Sequence, residues 1–140
     1  AETLVRDRLA AYGRGAARYG LIHADMRLAN LLIDGGDTRL IDFDDCGFGW
    51  FMYDFAAGIS FMDEHPQVSA LREAWLDGYR AVRPLDREDE VEIDSFIMLR
   101  RMALLAWTGS HAGTDLARSQ APHFAAGTAR LAEAYLARFA

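Results

Sequence analysis

Residues 21–56 read LIHADMRLANLLIDGGDTRLIDFDDCGFGWFMYDFA. His23, Asp25, Asn30, Asp42, Asp44 and Asp45 lie there between apolar runs. Carboxylates so placed need a partner or a metal, because desolvating a lone charge is costly. Asn30 and Asp42 offer hard oxygen ligands, the kind that suits Mg2+ or Mn2+. One amide and one carboxylate leave positive charge on the ion, which phosphate oxygens can complete. Asp25 then stays free of metal and can take a proton from a hydroxyl group. Arg27 carries a permanent charge and can offset negative charge on a moving phosphoryl group. Asp44 and Asp45 are candidates for a second metal or for the acceptor substrate. The chemistry this set suggests is phosphoryl transfer.

The elements around it must bring Asp25, Asn30 and Asp42 together. Two short apolar runs, Leu31-Leu32-Ile33 and Leu40-Ile41, flank DGGD at residues 34–37, a hairpin signal. Such a ribbon holds the loop before it (residues 23–30) beside the loop after it (residues 44–50). Alone it is barely stable, so helices must support it. Val5, Leu9, Tyr12, Ala16 and Tyr19 recur at helical spacing and predict a helix over residues 4–19. A short helix is expected over 51–61, broken near His65-Pro66. Val68, Leu71, Trp75, Tyr79 and Val82 form a stripe that Pro84 ends. Asp86 can cap the next helix, with Asp89 in its first turn. From Phe96 to Trp107 only Arg100 and Arg101 interrupt an apolar run, which marks a central helix. Residues 110–113 break it. Phe124, Thr128, Leu131, Tyr135 and Phe139 form the last stripe.

The expected fold class is therefore α+β, mostly helical, with one small β-hairpin carrying the catalytic and metal-binding loops. The 140 residues suit one domain, and with half of them apolar the chain can bury a core. Its formal charge is −6, from 21 acidic and 15 basic side chains, which argues against a nucleic-acid partner. No apolar run reaches the length of a membrane span, and no targeting segment is evident. A single cysteine, Cys46, gives no disulfide framework, and a cytoplasmic setting is expected. His65, His111 and His123 show no metal spacing, so zinc is not indicated. Nothing beside Cys46 suggests covalent chemistry.

His23, Asp25 and Asn30 form H-x-D-x-x-x-x-N, followed after the hairpin by Ile41-Asp42. Together these resemble the aminoglycoside phosphotransferase and choline kinase family, whose fold is protein-kinase-like. The run IDFDDCGFGWFMYDFA looks like a bacterial subgroup of small-molecule and stress-linked kinases within it. The resemblance implies that Asp25 is the catalytic base and that Asn30 and Asp42 bind magnesium. It implies a structural role for His23, and makes Asp54 the acid that braces the catalytic loop. It implies ATP as co-substrate and a hydroxyl-bearing acceptor. Acidic residues on the later helices of that family bind cationic acceptors, which makes Asp63 and Glu64 candidates here. Trp75 is a further candidate for the acceptor pocket, which the helices after residue 60 would form.

One departure stands out. Family members carry an N-terminal lobe with a nucleotide-covering loop and a phosphate-binding lysine. This sequence contains no lysine, and too little precedes Asp25 to be that lobe. Residues 1–140 are therefore expected to be the C-terminal lobe alone, the missing N-terminal lobe being its partner and the isolated chain inactive. Rival readings are a protein Ser/Thr kinase of this fold, an Asp/Mg phosphohydrolase and a non-catalytic kinase-like binding module.

Overall fold

The helix predicted over residues 4–19 ends early in the structure, a computed structural model describing the backbone throughout and every side chain except those of residues 120–122. Helix α1 spans Glu2–Tyr12 and buries Val5, Leu9 and Tyr12, the first three members of the predicted stripe. Gly13 stops it at φ 77°, a backbone conformation glycine adopts without the clash a Cβ would bring. A turn follows, and Tyr19 opens strand β1 (Tyr19–Ile22) instead of closing a helical face.

The hairpin lies where the apolar runs placed it. Strand β2 is Leu31–Asp34 and β3 is Asp37–Leu40, antiparallel, with Leu31 opposite Leu40 and Asp34 opposite Asp37. Gly35 in the turn takes φ 61°.

The segment at 44–50, expected to be loop, holds a fourth strand. Strand β4 (Gly47–Trp50) pairs antiparallel with β1, Tyr19 facing Trp50 and Ile22 facing Gly47. Of the two glycines that suggested a loop, Gly49 is required by packing, while a Cβ at Gly47 would meet nothing within 4 Å. A Cβ on Gly49 would lie 2.3 Å from Ile22 Cδ1. Glycine inside a strand often marks such a close approach. The ribbon β1–β4 thus closes the whole segment that carries the candidate site residues His23 to Asp45.

Four more helices follow: α2 (Tyr53–Gly58), α3 (Val68–Val82), α4 (Arg87–Ser110) and α5 (Asp115–Phe139). Helix α2 is shorter than expected, and residues beyond it turn sharply, Phe61 adopting φ 65°. Helix α3 lies at the edge of the molecule, so only part of its stripe meets the core: Leu76 is buried, while Val82 is 89% exposed. Asp86 and Asp89 form a reciprocal capping box at the start of α4. Helix α4 is central, as its apolar run suggested. Ile93, Phe96 and Met98 are buried, and the helix packs on α1, α2 and α5. Each such side chain contributes about 1.5–3 kcal/mol by leaving water. A polar set crosses the same core: Arg8 of α1 pairs with Glu92, Ser95 Oγ donates to Glu92 at 2.7 Å, and Ser95 bonds the Tyr135 hydroxyl at 2.7 Å. The result is a mostly helical α+β body with the small β2–β3 hairpin at one end, the architecture of a kinase-like C-terminal lobe. Among the described residues no helix is long and apolar enough to cross a membrane.

Candidate active site

The loop leaving β1 is fixed from three sides. Asp54, in the first turn of α2, accepts the backbone N–H of His23 at 3.0 Å and that of Ala24 at 2.8 Å. This anchors Ala24 at φ 66°, a conformation uncommon for a residue with a Cβ. His23 is buried. Its Nε2 bonds the Ile41 carbonyl at 3.0 Å, and its Nδ1 accepts the Asp25 N–H at 3.3 Å. The imidazole therefore spans from the Asp25 loop to the end of β3. Its ring also packs 4.9 Å from that of Phe43.

Asp25 is buried, and its carboxylate is held on both oxygens. Oδ2 accepts from Arg27 Nε at 3.0 Å and from Asn30 Nδ2 at 3.2 Å. Oδ1 accepts from Arg100 Nη2 at 2.6 Å. Asn30 Nδ2 also donates to the Asp25 carbonyl at 2.8 Å, which leaves its Oδ1 for another partner. A single 3-10 turn, Leu28–Asn30, carries Asn30 onto β2.

Across the hairpin, Ile41 N–H donates to the Asn30 carbonyl at 3.1 Å, so Asp42 follows one residue beyond a pair in register. Asp42 is exposed and takes φ 63°. The ribbon thus brings the neighbourhoods of Asn30 and Asp42 together, as the sequence suggested. An amide oxygen and a free carboxylate fit a hard divalent cation that also binds phosphates. Among the described residues no three of His, Cys, Asp and Glu cluster to cage a metal by themselves.

Beside Asp25 opens a cleft of about 320 Å³ lined by Arg27, Asp45, Phe61, Arg100, Leu104 and Trp107, among others. Phe61 and Trp107 meet edge to face, with ring centroids 6.4 Å apart. Of the candidate acceptor residues, Asp45 lines this cleft. Asp44 is exposed and does not line it. The others lie elsewhere. Asp63 takes both its oxygens to Arg101 Nη1, at 2.7 and 2.6 Å, in a buried pair. Glu64 accepts from Arg130 at 2.8 Å, and that guanidinium holds its carboxyl below the usual range. Trp75 stacks on Tyr79 and packs on Phe55, lining a separate groove with Leu21 and Met26. The family resemblance and their acidity make Asp63 and Glu64 candidates. The need of the buried Arg101 for a counter-charge accounts for them better.

Arg100 was missed as a site residue. It stood in the sequence only as an interruption of an apolar helix. That interruption was the signal: a guanidinium in the middle of a buried helix must have a partner.

The family model described as "Phosphotransferase enzyme family" (APH) matches residues 1–89, and the chain belongs to that family. Among solved structures, it superposes on the microcompartment-associated aminopropanol kinase with a TM-score of 0.89 and 47% identity, covering 98% of this chain and 43% of that one. A second similar structure is amicoumacin kinase hAmiN in complex with AMP-PNP, Ca2+ and Ami, at TM-score 0.67 and 28% identity, covering 93% of this chain and 43% of that one. Homoserine kinase of Neisseria meningitidis is 39% identical over 75 residues, covering 51% of this chain and 25% of the relative. Amicoumacin kinase of Bacillus subtilis is 32% identical over 95 residues, covering 61% and 28%. The chain thus spans roughly a quarter of these curated relatives and less than half of the two solved chains.

Proposed function

We propose that this chain is the catalytic C-terminal lobe of an ATP- and magnesium-dependent kinase that phosphorylates a hydroxyl group of a small amino alcohol. The observation that carries this reading is the Asp25 carboxylate, buried at the cleft and hydrogen-bonded to Arg27, Asn30 and Arg100. The names of two relatives, aminopropanol kinase and homoserine kinase, support an acceptor bearing both an amine and a hydroxyl. The bound AMP-PNP and Ca2+ of the amicoumacin kinase structure support a nucleotide and a divalent ion. A choline-like quaternary amine is a variant of the same acceptor class.

In this reading Asp25 orients the acceptor hydroxyl and takes its proton. The acceptor oxygen bonds the γ-phosphorus as the bond to the β–γ bridging oxygen breaks, and that electron pair leaves with ADP. Arg27 sits where it can offset charge on the transferring group. Asn30 Oδ1 and the Asp42 carboxylate would hold Mg2+, which supplies charge neutralisation at the phosphates. His23 and Asp54 keep the base loop in place. Asp45, which lines the cleft, would meet the acceptor's ammonium, and Asp44 would help hold a second metal. The nucleotide-covering lobe, preceding this chain in the whole protein, covers the other side. We place the protein in the cytoplasm, where ATP is at hand, without nucleic-acid or membrane partners.

The test is a coupled ADP-release assay on the whole enzyme with aminopropanol, homoserine, choline and a generic protein substrate. Acceptor-dependent ADP release that needs Mg2+ and disappears in Asp25→Asn supports the reading. Phosphate release without any acceptor would favour a hydrolase. Turnover of the protein substrate alone would favour a protein kinase. No nucleotide turnover by the whole enzyme would favour a binding module.

A further inference from the structure

We infer that Arg100, on α4, is a positioning residue that selects Oδ1 of Asp25 as the proton-accepting atom. This rests on the proposed kinase reading. An ionised carboxylate offers about two acceptor sites on each oxygen. Oδ2 has both occupied, by Arg27 Nε and Asn30 Nδ2. Oδ1 has one, occupied by Arg100 Nη2 at 2.6 Å. Its remaining site is the one open to an acceptor hydroxyl, and Asp25 and Arg100 both line the cleft.

Arg100 is itself held in place. Its Nε donates to Ser60 Oγ at 2.9 Å, and Nη1 lies 3.4 Å from the Tyr53 hydroxyl. Ser60 Oγ donates in turn to the Ala57 carbonyl at 2.6 Å. The guanidinium is largely buried, with 15% of the side chain exposed. Ser60 immediately precedes Phe61, which lines the cleft with its backbone at φ 65°. Strained backbone of this kind persists where the surroundings fix it. The turn after α2 therefore supplies an aromatic wall of the cleft and, one residue earlier, the anchor of the arginine that aims the base. A group misplaced by about 1 Å loses on the order of a hundredfold in rate.

The experiment compares Arg100→Gln, Arg100→Lys and Ser60→Ala with wild type and Asp25→Asn in the whole enzyme. It measures kcat, both KM values and the thermal midpoint. Arg100→Gln should lower kcat about a hundredfold while leaving the KM for ATP unchanged. Arg100→Lys should recover part of that loss. Ser60→Ala, which frees Arg100 without removing it, should lower kcat several-fold and add nothing on top of Arg100→Gln. In the Asp25→Asn background the Arg100 substitution should have no further effect. A folded Arg100→Gln enzyme with wild-type kcat overturns the inference. So does full additivity of the Ser60 and Arg100 effects. Should Arg100→Gln fail to fold, Ser60→Ala decides, and a wild-type kcat there overturns the inference as well. An inactive wild type would instead refute the kinase reading, so the two failures are distinguishable.

Discussion

The loop after β1 and the loop after β3 carry the two halves of the candidate site, and they are built in opposite ways. The first is over-determined. Its backbone N–H groups at 23 and 24 are bonded to Asp54, and its carboxylate to Arg27, Asn30 and Arg100. The second presents Asp42, Phe43, Asp44 and Asp45, all exposed. A base must be aimed before the substrate arrives, since misorientation costs rate directly. A metal ligand can wait, because ion and phosphates supply the remaining order when they bind. In the proposed reading, the half of the site that accepts the proton is preformed and the half that holds the metal is open.

The strongest way to break this contrast is Asp25→Asn. Losing a general base should cut kcat by about 10²–10⁴-fold in the ADP-release assay, with nucleotide affinity retained. Asp42→Asn comes next. Activity should fall about a hundredfold, the scale of a lost charge-stabilising group, while the thermal midpoint stays within a degree or so because that carboxylate is exposed and bonds no other described residue. A large drop in the midpoint would show that the second loop is structural after all. Asp54→Ala should do the reverse, destabilising the protein by about 1–3 kcal/mol in chemical denaturation because two backbone donors lose their acceptor. Adding Mg2+ and a non-hydrolysable nucleotide should slow amide exchange at residues 42–46 and leave residues 23–30 nearly unchanged. Equal protection of both loops would erase the distinction.

The smallest expected effect lies away from both loops and serves as a baseline. Arg130 lowers the Glu64 carboxyl below its ordinary value of 4.5. A group whose folded value is depressed stabilises above its unfolded value, and that contribution is lost as pH falls through the folded one. The wild-type midpoint should therefore drop slightly more than that of Glu64→Gln below about pH 4.5. The difference stays small because the carboxylate is 46% exposed.

What the sequence disclosed follows the range of the interactions. His23, Asp25 and Asn30 lie within one short loop, and the DGGD turn fixes where Asp42 falls relative to Asn30, so spacing alone predicts their neighbourhood. Strand β4 escaped because glycines signal loops when read locally, whereas Gly49 is there to admit Ile22 from a strand far back in the chain. Arg100 escaped as a site residue because its partner Asp25 is 75 positions away. Its misfit with an apolar helix announced a partner without saying which. Asp63 and Glu64 show the converse. Their charge suggests a ligand, yet Arg101, the neighbour of Arg100, meets both of them. The two adjacent arginines of α4 thus divide their roles, one toward the cleft and one toward the core.

The pairing of β1 with β4 has a consequence for connectivity. Residues 19–50 leave the body and return to it at the same place, with Tyr19 beside Trp50. Inside that closed excursion the β2–β3 turn is a second closure, at Gly35 and Gly36, where a Cβ added to either glycine would meet nothing within 4 Å. A backbone cut between those glycines would separate the two halves of the site covalently. The halves would still be held together by both ladders, since each ribbon has one strand on either side of the break. The gene could be divided there into two polypeptides that reassemble, placing Asp25 and Asp42 on different chains.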